Sequence, residues 1–84
     1  MYAIIVFRSR TETMKFSQLL KSYGVRNSII NTPRQASVSC GISVKVELRY
    51  VDIAKNILLR RRFDSYGGIY KIYESSSGFV VEPF

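Results

Sequence analysis

The chain has 84 residues, of which 46% are hydrophobic and 23% charged, and a formal net charge of +7. That length suits one small domain with a thin stability margin, and the balance is that of a folded chain rather than a disordered one. One cysteine, Cys40, and no histidine are present, which excludes an internal disulfide, the common Cys/His zinc sites and Cys–His nucleophilic catalysis.

The positive charge suits anionic partners: nucleic acid, acidic proteins or anionic cofactors. Its compact run, Arg60-Arg61-Arg62, reads first as the solvated end of a helix, where cations complement the dipole. A lone thiol points to a reducing, cytoplasmic location. The apolar start, Met1 to Phe7, is followed by Arg8 and Arg10 and is too short for a signal peptide or a membrane span, so no membrane association is expected.

Tyr2 to Phe7 is an apolar run with Ile and Val, the pattern of a buried central strand. Ser9-Arg10-Thr11-Glu12 has the S-x-x-E spacing of a capping box, so a helix is expected from about Thr11 to Tyr23. Its apolar stripe should be Phe16, Leu19, Leu20 and Tyr23, with Gly24 ending it. Val25 to Thr32 reads as a second strand, stopped by Pro33, which cannot donate to a sheet ladder. The loop to Gly41 has no apolar periodicity. Ile42, Val44, Val46, Leu48 and Tyr50 then alternate with Ser43, Lys45, Glu47 and Arg49, a strand with one dry and one wet face.

Val51 to Arg62 is expected to be the second helix, with Val51, Ala54, Ile57 and Leu58 along one side. Ser65 to Gly68 reads as a turn, Ile69 to Glu74 as a fourth strand, and Phe79 to Phe84 as an edge strand or a packing tail. The order β-α-β-β-α-β implies an α+β ferredoxin-like sandwich: a four-stranded antiparallel sheet with both helices on one face and a possible extra C-terminal edge strand. Residues 1–74 would form the domain and 75–84 the tail or edge strand. The second sheet face would stand open, carrying apolar residues of the first strand and Tyr70 or Tyr73 of the fourth. Such a face needs a cover, either a homodimer through that face or the tail.

Chemistry converges on Cys40. A thiolate is the reactive form, favoured by nearby positive charge and N–H donors. Arg34, Ser37, Ser39 and the Gly41 amide could supply that environment if the loop folds back, with Pro33 and Gly41 shaping it. The competing account is a packed small hydrophobe at the start of the third strand, which composition alone favours. Serines in such a loop more often satisfy its own backbone, and Arg34 can equally be a solvated loop residue.

The run Pro33-Arg34-x-x-Ser37-x-x-Cys40-Gly41 resembles the signature of the selenium/sulfur carrier-like family. The similarity spans most of residues 1 to 73 and includes the strand ending in Phe7 with Ser9 just after it, the helix end at Leu20 to Gly24, and Gly68-Ile69-Tyr70. The chain departs from that pattern at Ala36, where the family carries a bulky aliphatic residue, and at Val38, where it carries a small or polar one. The resemblance implies a carrier rather than a stand-alone catalyst, with no cofactor and no metal. Cys40 would accept sulfane sulfur or selenium from a cysteine desulfurase-like donor and yield it to an acceptor protein. Arg34 would hold the anion or dock an acidic partner. One thiol serves a carrier but not a dithiol oxidoreductase, which needs a resolving cysteine.

Two further accounts stay open. In one the chain is a small dimeric adaptor with a non-reactive Cys40. In the other it is a weak, nonspecific RNA-binding module, although nucleic acid is the less favoured partner. RNA-recognition sheets place base-stacking aromatics on their two central strands, and the polar side of the third strand here offers Ser43, Lys45, Glu47 and Arg49.

Overall fold

The computed structural model describes residues 1–36 and 39–84. The elements in chain order are β1 (Tyr2–Phe7), α1 (Arg10–Ser22), β2 (Ser28–Asn31), β3 (Ile42–Val46), a 3-10 turn (Leu48–Tyr50), α2 (Val51–Arg60), β4 (Tyr66–Ser75) and β5 (Gly78–Pro83). The fold is α+β, with two helices and one antiparallel sheet in the order β2-β3-β1-β4-β5. The sheet therefore has five strands, the extra C-terminal edge strand being present beside the four expected. The segment after Ser75, read as an edge strand or a tail, pairs with β4 from Tyr70↔Pro83 to Ser75↔Gly78 and forms one edge of the sheet.

β1 is central because its sequence is apolar on both sides. Ala3 to Phe7 are all fully buried. Ala3, Ile5 and Phe7 face a core built with Phe16 and Leu20 of α1, Val51, Ala54 and Ile57 of α2, and Val44, Val46 and Ile69 of the flanking strands. Aromatic rings close one end of that core: the Phe7 ring lies 5.2 Å from Phe16, 5.4 Å from Phe63 and 6.0 Å from Tyr66.

The opposite face differs from the bare surface anticipated. Ile4, Val6 and Ile72 are buried there at 0–1% exposure, clustered with Ala36 from the loop between β2 and β3. Ala36 thus covers part of the face from within the chain. Ser43, expected on the wet side of its strand, is fully buried and hydrogen-bonded to Thr32.

Other differences have local causes. The third strand stops at Val46 instead of Tyr50. Leu48 and Tyr50 still pack against the helix-side core, but from the 3-10 turn that reverses the chain into α2. Gly67 and Gly68 lie within β4, where the pairing with β1 shifts between Val6↔Gly68 and Phe7↔Tyr66. Gly68 has φ +127°, and an added Cβ would stand 3.4 Å from the Tyr70 ring. The extra residue makes a bulge, a use of the glycine pair that a turn assignment misses. On α1, the buried positions are Thr13, Phe16, Ser17 and Leu20, while Tyr23 is 49% exposed. The inward face thus includes two small hydroxyl residues, each with a polar partner.

Candidate functional site

The helix that borders the site is fixed at its start by Ser9, whose side chain accepts from the Glu12 amide at 3.1 Å. In a capping box the glutamate would return to the Ser9 amide. Here Ser65 stands between them: the Ser9 amide donates to Ser65 Oγ at 3.1 Å, and Ser65 donates to Glu12 Oε1 from its amide at 2.8 Å and from its hydroxyl. A local cap has become a tertiary clamp joining the start of α1 to the start of β4. These bonds, led by the Ser65 hydroxyl, hold the Glu12 carboxyl below the ordinary glutamate range.

The β2–β3 loop begins at Pro33, which ends β2 as its ring requires. A turn follows, with the Ala36 amide donating to the Pro33 carbonyl at 3.0 Å. The Thr32 amide donates to the Gly41 carbonyl at 3.0 Å and closes the loop at its base. Gly41 has φ +100° with open space where a Cβ would stand, so its requirement is conformational and not steric. Ser39 Oγ accepts from the Gly41 amide at 2.8 Å and bonds the Thr32 hydroxyl at 2.8 Å. A chain of hydroxyls, Ser39–Thr32–Ser43, thus runs beneath the loop.

Cys40 is half-buried and free. Its amide donates to the Phe7 carbonyl at 3.2 Å, which ties it to the end of β1. Its sulfur lies 3.6 Å from the Thr13 hydroxyl and 3.7 Å from the Ile42 carbonyl. Thr13 is fully buried and donates to the Ser9 carbonyl at 2.9 Å. The Cys40 thiol donates to the Ile42 carbonyl and the Thr13 hydroxyl to the Ser9 carbonyl; turned toward the sulfur, the same hydroxyl donates to an anionic Cys40. The first turn of α1 adds the positive end of the helix dipole on that side.

The sequence-derived site residues therefore divide. Cys40 and Gly41 lie together where the loop rejoins the sheet. Ser39 is adjacent, but its hydroxyl serves the loop. Arg34 is exposed in the turn and lines a shallow depression with Thr32, Pro33, Ala36, Ser39 and Gly41, a set that does not include Cys40. Ser37 lies outside the described residues. Thr13 is the polar neighbour that sequence reasoning missed. Its position three residues before the core Phe16 puts it on the same helix face, a signal that a search for apolar residues alone passes over. Among the described residues, no cluster of three or more Cys, Asp or Glu suited to a metal ion occurs, and no helix is long and apolar enough to cross a membrane.

The model of the family described as Putative Se/S carrier protein-like matches residues 2–71. No curated protein and no solved structure matches the chain.

Proposed function

The chain belongs to the Se/S carrier protein-like family, and on that premise we propose that Cys40 is the atom that carries the chalcogen. The observation that supports this most is the placing of the only thiol: half-buried at the end of β1, with a hydroxyl and a helix start beside the sulfur. The order β2-β3-β1-β4, with both helices contributing to the core on one side of β1, supports a ferredoxin-like scaffold beneath it.

The transfer conserves electrons. Cys40 thiolate attacks the terminal sulfur of a donor persulfide, R–S–SH. The Cys40 S–S bond forms as the donor S–S bond breaks, and its electron pair leaves on the donor thiolate. Cys40–S–SH results. An acceptor thiolate repeats the step on the terminal atom and releases Cys40 as the thiolate. Selenium follows the same course as Cys40–S–SeH. Thr13 turns its hydroxyl toward the anionic sulfur. Arg34, in the turn of the same loop, attracts an acidic donor or acceptor, and Ser39 with Gly41 holds the loop in shape. No second cysteine is needed, because the chalcogen leaves to an external thiol.

Intact mass after incubation with a cysteine desulfurase and cysteine tests this directly. A gain of one sulfur atom per chain, reversed by dithiothreitol and missing in Cys40→Ala, is the expected result. An unchanged wild-type mass, with Cys40 also inert to iodoacetamide in the native state, would leave a packed cysteine in an adaptor domain.

A further inference from the structure

Around the corner from Cys40, the end of α2 and the start of β4 form an apolar concavity of about 470 Å³ lined by Lys55, Leu58, Leu59, Phe63 and Tyr66. Leu59 is 85% exposed and Tyr66 42%, unusual for large apolar groups gathered in one place. Lys55 is the cation of the concavity itself; Arg60, Arg61 and Arg62 follow in the chain, all exposed, and Arg61 and Arg62 line an adjoining depression that shares Phe63 with it. Among the described residues Arg62 pairs with Asp64, and neither Lys55, Arg60 nor Arg61 has an ion-pair partner. We infer that this concavity is the seat of an acidic protein segment that inserts a large apolar side chain between Leu59 and Phe63 while its carboxylates meet Lys55 and, across Phe63, Arg61 of the adjoining depression.

Charge selects that occupant. A second copy of the chain, with a net charge of +7, would oppose one arginine cluster to another across a two-fold axis, a like-charge arrangement that costs affinity. A nucleic acid would use the cations but leave Leu59 uncovered. An acidic amphipathic segment satisfies both chemistries at once.

Position gives the seat its use, which rests on the carrier role of Cys40. The Cys40 amide bonds the Phe7 carbonyl, and Phe7 pairs with Tyr66 on its other side. Two strand spacings separate the cysteine backbone from that of Tyr66, roughly 10 Å. A protein seated on Leu59, Phe63 and Tyr66 therefore stands at the same end of the sheet as the sulfur.

The test uses the full chain carrying Cys40→Ala, so that binding is read without any thiol chemistry. The probe is a fluorescent synthetic peptide of glutamate, leucine and phenylalanine. One control replaces its glutamates by lysine, and the other its apolar residues by serine. Anisotropy should show binding of the first, at least about tenfold weaker binding of both controls, and a similar loss with Leu59→Glu or with Lys55→Glu/Arg61→Glu. Amide shifts should centre on Leu59, Phe63 and Tyr66. Equal binding of the serine control, as a plain polyanion site would give, overturns the proposal. So does indifference to Leu59→Glu, or self-association of the chain that Leu59→Glu abolishes. Persulfide loading of the wild-type chain, set beside peptide binding by the Cys40→Ala chain, separates the two ideas: loading without peptide binding removes the seat alone, and peptide binding without loading removes the carrier role alone.

Discussion

The Thr13 hydroxyl stands 3.6 Å from the Cys40 sulfur although the two residues come from a helix and a loop 27 positions apart. Thr13 is fully buried and already engaged with the Ser9 carbonyl, so the helix cap, the hydroxyl and the sulfur form one connected set. Thr13→Val keeps the shape and removes only the hydroxyl. The expected loss of stability is about 1 kcal/mol, the net worth of one such hydrogen bond. Persulfide loading should slow several-fold while the fold persists. Urea titration and loading kinetics on the same sample check both, and an unchanged loading rate would make Thr13 a packing residue alone.

Gly41 bears the turn into β3 at φ +100° with no neighbouring atom in the way of a side chain. Gly41→Ala should therefore cost about 1–3 kcal/mol through backbone strain, not through a clash. Because the Gly41 carbonyl closes the loop on Thr32 and its amide holds Ser39, hydrogen exchange at Thr32 and Gly41 should accelerate more than at β1.

Phe7 joins the aromatic end of the core to the cysteine loop through its own carbonyl. Phe7→Ala should remove about 3–5 kcal/mol, enough to unfold much of a domain this small. Phe7→Leu, the milder change, should leave the protein folded with a lower denaturation midpoint. Alkylation of Cys40 in the native state should then be faster, since the strand end to which its amide is tied becomes less rigid.

Acid should weaken the clamp at Glu12. Its folded-state affinity for protons is lowered, chiefly by the Ser65 hydroxyl and amide, so the unfolded chain binds the proton more readily. The contribution is fully present above the ordinary value of 4.5 and is lost as the pH falls through the lower folded value. Stability measured by urea between pH 7 and pH 3 should fall less steeply in Glu12→Gln than in the wild type. Ser65→Ala should flatten the same limb, because it removes the leading cause of the shift.

Much of the architecture was legible in the linear pattern, and the reasons are local. Ser9 and Glu12 mark the start of α1 because a hydroxyl and a carboxylate there answer free amides. The apolar run before them reads as a central strand because both of its sides are buried. The lone cysteine in a Pro33-to-Gly41 segment marked the candidate site, and the family match covers that segment.

Local pattern stopped at contacts between distant residues. Ser65 entering the cap of α1, Ala36 lying on Ile4 and Val6, and the register shift at Gly68 each bring together residues far apart in the chain. So does the neighbour of the sulfur. The sequence by itself determined that the chain has one thiol and no imidazole. Only the tertiary structure decided that a threonine and a helix start would flank it. Helix and strand periodicity reports which face of an element is apolar, whereas the partner of that face depends on how the sheet twists and where a loop comes to rest.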